Sequence, residues 1–188
     1  DLEKALEYDD LKPDQQAQVA AIMAQAYINL DTLEAALPLL KIASTQIKDN
    51  ELKGRYSYIK GQVYTRLGHK DSANMAFEEV IALNRKTPRI YMINAYIEKA
   101  NNFDYEEGDN TQLLEALNTL LDNRENRPYQ DKILHQKGVY FLTIGKEDSA
   151  MLNFNKSLRK FNGDRILLAQ NYRRIAKLYC DDCLHLQG

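Results

Sequence analysis

The chain of 188 residues contains no tryptophan, two cysteines, four prolines and eight glycines. Two cysteines build no disulfide scaffold and fix no redox compartment. So little proline and glycine excludes a collagen-like rod or a Pro/Gly-rich disordered chain, and it suits helices. Neither sign of charge is in excess: 25 Lys and Arg face 27 Asp and Glu, giving a net charge of −2. The basic surplus of a nucleic-acid binder is therefore missing. No apolar run reaches the ~18 residues that span a bilayer. Asp1-Leu2-Glu3-Lys4 is too polar for the start of a signal peptide. What is present is 44% apolar and 28% charged residues, a globular composition on a chain long enough to bury a sizeable core.

The chain repeats itself. A small residue is followed three positions later by Tyr or Phe in Ala24/Tyr27, Gly61/Tyr64, Ala100/Phe103, Gly138/Phe141 and Ala176/Tyr179. The small residues lie 37, 39, 38 and 38 positions apart. After the first four pairs come Ala36, Ala73, Leu113 and Ala150, each followed four residues later by Leu40, Phe77, Leu117 or Phe154. Three residues further stand Ala43, Val80, Leu120 and Ser157. Offsets of four and three share one helix face. Gly68-His69-Lys70-Asp71-Ser72-Ala73 recurs as Gly145-Lys146-Glu147-Asp148-Ser149-Ala150. There the Gly ends one helix with positive φ, and Asp or Ser is expected to cap the next. Antiparallel helices pack closely where one presents a small side chain, and the aromatic one turn later is expected to fill the wedge beside it.

First helices are predicted near 14–30, 51–67, 88–104, 129–144 and 164–180, and second helices near 32–48, 71–85, 110–123 and 147–160. Residues 1–9 read as the second helix of an earlier pair, with Leu2, Ala5 and Leu6 inward. Pro13, Pro88 and Pro128 stand at or just before first helices, where a missing N–H costs little. Pro38 falls inside a second helix and predicts a kink that leaves the Glu34 carbonyl without its usual donor. The fold class is thus an all-α right-handed solenoid of about ten helices over residues 1–188, with repeats at 14–48, 51–85, 88–123 and 129–160 and a further first helix at 164–180. The chain reads as a fragment of a larger protein whose two array ends pack against another chain in a crystal.

This pattern resembles the tetratricopeptide repeat, most clearly in Gly61, Tyr64, Gly68, Ala73 and Phe77 and in Gly138, Phe141, Gly145, Ala150 and Phe154. It departs in its period of about 38 rather than 34, in lacking the first-helix Trp, in Leu113 where Ala is usual, and in a longer turn from Asp104 to Asn110. A narrower likeness lies in Leu2-Glu3-Lys4-Ala5-Leu6, Gln16-Ala17-Gln18-Val19-Ala20, Gln25-Ala26-Tyr27-Ile28-Asn29, Lys70-Asp71-Ser72-Ala73, Asn102-Phe103-Asp104-Tyr105 and Arg124-Glu125-Asn126-Arg127-Pro128. These stretches resemble the PorW/SprE outer-membrane lipoproteins of Bacteroidetes, which serve type IX secretion and gliding motility. The resemblance implies a non-enzymatic scaffold on the periplasmic side of the outer membrane, attached only through a lipid anchor outside this chain. The alternative is a cytoplasmic adaptor or chaperone cofactor of the generic repeat class.

Tetratricopeptide solenoids bind peptides in the concave groove lined by their first helices. Counting from each small residue, the groove positions are Arg55, Tyr58, Gln62 and Arg66, then Asn94, Asn101 and Tyr105, then Lys132, His135 and Thr143, then Arg173 and Lys177. This amide, aromatic and moderately basic lining fits a carboxylate-bearing peptide of a protein partner; a solvated polar face is the plain alternative. The carboxylate clamp of chaperone-binding relatives is matched by Asn101 alone.

Other chemistry is poorly supplied. Cys180, Cys183 and His185 offer at most three ligands where a structural zinc takes four, so no metal or cofactor is expected. His69, His135 and His185 have no Ser or Cys beside them by local spacing, so no catalytic residue is assigned. Asp104, Glu106, Glu107 and Asp109 lack the alternation of a calcium loop. Of twelve tyrosines, Tyr27, Tyr64 and Tyr179 are expected in the core. Among the others, Tyr58 and Tyr105 are the leading candidates for partner contact.

Overall fold

The computed structural model describes residues 11–106 and 110–185. Among them the chain forms nine α-helices and no strand. They are α1 (Pro13–Asn29), α2 (Leu33–Gln46), α3 (Asn50–Arg66), α4 (Lys70–Leu83), α5 (Arg89–Asn101), α6 (Asn110–Asp122), α7 (Gln130–Thr143), α8 (Glu147–Arg159) and α9 (Arg165–His185). Short 3₁₀ turns precede α5, at Asn84–Lys86, and α7, at Arg124–Tyr129. The expected helix pairs are therefore present. The earlier helix assigned to residues 1–9 lies outside the described residues, as does Tyr8.

The chain divides into two compact units, Asp1–Asn102 and Phe103–Gly188, and the boundary falls between the two helices of the third repeat. The first unit packs α1 on α2, α2 on α3, α3 on α4 and α4 on α5. Its core holds Ala20, Met23, Ala24, Leu33, Ala36, Leu40, Ala43 and Val63. A second cluster there joins Ala73, Phe77, Val80 and Ala95. In the second unit α7 packs on α8, and Ala150, Phe154 and Leu178 form the corresponding cluster.

Three of the turns between paired helices are Schellman motifs. The N–H of Thr32, His69 and Lys146 donates to the carbonyl of Tyr27, Tyr64 and Phe141 at 2.9, 2.9 and 2.8 Å. One residue earlier, Asp31, Gly68 and Gly145 take positive φ of 58°, 79° and 71°. Positive φ is cheap for Gly and costs a side-chain-bearing residue such as Asp31. The repeated aromatic thus has a backbone role: its carbonyl closes the turn.

The small residues act as expected, as dents where the facing helix crosses. A Cβ built on Gly61 would stand 2.4 Å from the Phe77 ring, and one on Gly138 would stand 2.5 Å from the Phe154 ring. The dent is filled by the second-helix Phe, and the half-buried Tyr64 and Phe141 pack against the same clusters beside it. Phe77 and Phe154 are fully buried. The reason is the crossing: the facing helix reaches the dent, whereas a residue three positions on points along its own helix flank.

Several other expectations change. Asp71, Ser72, Asp148 and Ser149 do not cap; the N-cap residues are His69 and Lys146, and neither makes a side-chain cap bond. A side-chain cap does occur in α3, where Asp49 accepts from the Leu52 N–H at 2.8 Å. Pro38, by contrast, falls inside the second helix as expected: α2 runs from Leu33 to Gln46 with Pro38 exposed. Helix α5 stops at Asn101 rather than at 104. The Asn pair there has low helix propensity, and Asp104 accepts the Glu106 N–H at 2.9 Å in a local turn. Tyr140, not assigned to the core from sequence, is buried, while Tyr179 is 60% exposed.

Candidate functional site

In the first unit the exposed sides of the first helices share one face. Two adjoining pockets of about 350 and 260 Å³ lie on it, and both touch Ile28 of α1 and Ile59 of α3. The larger adds Gln62, Val63, Thr65, Arg66 and, from α5, Glu98. The smaller adds Ala21, Ile22, Gln25, Leu40, Arg55 and Tyr56. The floor is apolar and the rim carries two guanidiniums, one carboxylate and two amides. Burial of the Tyr56 ring raises its phenol above the ordinary value, so it stays neutral on this wall.

Of the predicted residues, Arg55, Gln62 and Arg66 reach these pockets. Arg55 is exposed and has no ion pair among the described residues. Arg66 is engaged: its guanidinium donates to Asp31 Oδ1 at 2.6 Å across the first and second repeats. Both partners are well exposed, so this pair stabilises little and is separable by a competing carboxylate. Asn94 is half-buried on α5. Asn101 is exposed, with its amide 3.5 Å from Glu98 Oε2.

Tyr58 is not a free aromatic. Its ring packs on Phe77 and Tyr91 at centroid distances of 5.8 and 6.0 Å. Burial first, and the Glu98 carboxylate second, push its phenol well above the usual tyrosine value. Glu98, which the positional count did not select, supplies the acid on the rim beside Tyr58.

In the second unit several predicted residues are likewise occupied internally. Lys132 pairs with Asp164, whose carboxyl is held below the usual range by that lysine and by the Leu167 N–H. The His135 ring packs at a tilt of 50° against Phe154, centroids 5.5 Å apart, and its Nδ1 lies 2.9 Å from Asn171 Oδ1. Burial lowers the His135 pKa; Arg174 and Lys132 add to the lowering, and the Asn171 bond opposes it. Thr143 is exposed and bonds its own helix through the Val139 carbonyl. Arg173 and Lys177 are exposed on α9. Tyr105 is not on α5 at all: it lies in the following turn, against Phe103 and Tyr140 at 5.2 and 6.2 Å. Burial raises its phenol, whose Oη is enclosed without a hydrogen bond among the described residues.

Two buried polar networks were missed by sequence reasoning. Lys60 Nζ donates to Ser44 Oγ at 3.2 Å and to both Glu79 oxygens at 3.1 and 2.7 Å, and Ser57 Oγ donates to Glu79 at 3.0 Å. In the second unit Asn171 Nδ2 donates to Ser157 Oγ at 2.9 Å, and Ser157 donates to the Asp131 carbonyl at 2.7 Å. The available signal was polar residues at inward repeat positions, such as Ser157 where the second repeat has Val80.

Among the described residues no three His, Cys, Asp or Glu gather as metal ligands. Cys183 and His185, and also Glu107, Gly108 and Asp109, lie where no side chain is described. No described helix is long and apolar enough to cross a membrane.

These features define a class: an all-α solenoid of tetratricopeptide-like helix pairs. Residues 54–87 match the tetratricopeptide repeat family. The chain is similar to two crystal structures of MamA. In each the identity is 21% and the TM-score 0.62, over 85% of this chain and 84% or 78% of that chain. It is also similar to the MamA RS-1 ArsTM double mutant, with 15% identity and a TM-score of 0.58 over 89% of this chain and 96% of the other. At these identities the likeness establishes the fold. No curated protein matches the sequence.

Proposed function

We propose that this chain is a non-enzymatic scaffold that holds a segment of a partner protein on the face of α1, α3 and α5. The observation that carries this is the pair of adjoining pockets sharing Ile28 and Ile59, with Arg55, Gln62 and Arg66 on the rim. Such a face takes apolar side chains into its floor and a carboxylate onto Arg55. The tetratricopeptide match at 54–87 covers α3 and α4, the helix pair that presents Arg55 and Ile59. The finer reading is a periplasm-facing domain of a type IX secretion and gliding-motility lipoprotein. It is supported by the surface and turn text shared with the PorW/SprE proteins, such as Lys70-Asp71-Ser72-Ala73.

The test is capture of the tagged full-length protein from its native envelope, with partners identified by mass spectrometry. Outer-membrane secretion components should co-purify from the parent and be lost from Arg55→Glu/Gln62→Glu, which changes two exposed residues and leaves the core intact. Soluble partners lost in the same variant would remove the secretion reading and keep the binding face. Partners retained undiminished by the variant would remove the binding face.

A further inference from the structure

We infer that Asn162 is a site of spontaneous deamidation, and that the reaction irreversibly releases the loop between α8 and α9 from the start of α7. Asn162-Gly163 is the one place in the chain where an asparagine precedes a glycine. The other asparagines precede residues with side chains, and most of them stand on helices. Glycine matters because no side chain shields the backbone nitrogen that must attack. Both residues are exposed, and Gly163 has a φ of 90° with nothing within 4 Å of a Cβ built there. Its N–H donates no hydrogen bond among the described residues. The nucleophile is therefore neither covered nor engaged.

The step needs only the chain and water. The Gly163 nitrogen bonds to Asn162 Cγ, its proton goes to Nδ2, and ammonia leaves, closing a cyclic imide between neighbouring residues. Water then opens the ring at either carbonyl and leaves an aspartyl or isoaspartyl residue, a net exchange of the amide NH₂ for OH. In the closed loop Asn162 is latched onto the start of α7. Its Nδ2 donates to the Pro128 carbonyl at 2.8 Å, and its N–H donates to Asp131 Oδ2 at 3.3 Å. The latch holds Cγ while it is shut, and the reaction proceeds when it opens. The product cannot shut it again. A carboxylate has no proton to give the Pro128 carbonyl. It would also stand beside the carboxylate of Asp131, which is only 2% exposed, and two residues before Asp164. The nearby cation offers no relief, because Lys132 already pairs with Asp164. Leaving the Pro128 carbonyl without its donor and adding like charge both favour the open loop.

The test holds the 188-residue chain at about 37 °C and mildly alkaline pH, where asparagine is labile, and follows tryptic digests by mass spectrometry. Cleavage after Lys160 and Arg165 gives the peptide 161–165, in which Asn162 is the one amide side chain. Over the incubation it should gain about 1 Da at least tenfold faster than any other asparagine-bearing peptide. An isoaspartyl methyltransferase should label the same peptide. In Asn162→Gln the gain should vanish, because the longer side chain closes its ring far more slowly. Hydrogen exchange then reads the latch. In Asn162→Asp, which carries the aspartyl product from the outset, the amides of 161–168 should exchange at least fivefold faster than in the parent. Those of α1 to α4 should be unchanged, which separates an opened latch from a chain that has failed to fold. The inference is overturned if the peptide 161–165 gains mass no faster than the others, or if Asn162→Asp exchanges like the parent over 161–168.

Discussion

The second and fourth repeats carry nearly the same text and differ in what they bury beside it. Both end their first helix in a glycine with positive φ, and both close a glycine dent with a fully buried Phe. Three residues before the dent glycine, the second repeat has Tyr58 and the fourth has His135, each packed at a tilt against its own Phe. The second repeat adds a charged network, with Lys60 buried and Glu79 half in solvent. The fourth adds a neutral one, running from His135 through Asn171 and Ser157 to the Asp131 carbonyl. The comparison teaches that the packing lock is the part these two repeats share. The polar group placed against it varies, and it sets how each unit responds to pH and to substitution.

The largest expected effect removes the lock. Phe77→Ala and Phe154→Ala should each cost about 3–5 kcal/mol, because a large side chain leaves a cavity in a close-packed interior. Denaturant unfolding followed by circular dichroism measures both. Costs that differ by more than about 2 kcal/mol would mean the two locks are not equivalent.

Next come the networks. Asn171→Leu should cost about 1–3 kcal/mol, since Ser157 and the His135 ring lose their partner in a buried place. Lys60→Met should lie within about 1 kcal/mol of the parent, because the partly exposed Glu79 keeps its hydration and the long apolar stem is preserved. The same unfolding curves test this contrast, and equal costs would erase it.

The smallest effect is a pH dependence confined to the second unit. The neutral His135 ring donates from Nδ1 to Asn171, and burial lowers its folded pKa below the ordinary 6.5. A depressed histidine contributes stability in full above about pH 6.5, and that contribution is lost as pH falls through the folded value. The melting temperature should therefore drop between pH 7 and 5.5. The drop should shrink in His135→Tyr, which places the second repeat's residue at this position. An equal drop in the variant would assign the sensitivity to other groups.

Most of the helical frame was legible in the sequence. All nine described helices begin within one residue of the predicted first position, because the apolar spacing and the turn glycines report local geometry. The binding face was legible only in part. Arg55, Gln62 and Arg66 follow from counting along one helix. Ile28 and Glu98 come from neighbouring first helices, and no count within one repeat reaches them. Tyr58 and His135 were placed on the correct helices, but their burial depends on the Phe of the next helix.

By itself the sequence determined the period, the helix pairs, the positive-φ turns and the need for a small residue at each crossing. These depend on contacts within a few residues, where chain geometry leaves few alternatives. The tertiary structure alone decided which ring enters the Gly61 and Gly138 dents and which cations are already paired. Those outcomes depend on side chains tens of residues apart meeting across helices, and spacing along one helix carries no information about them.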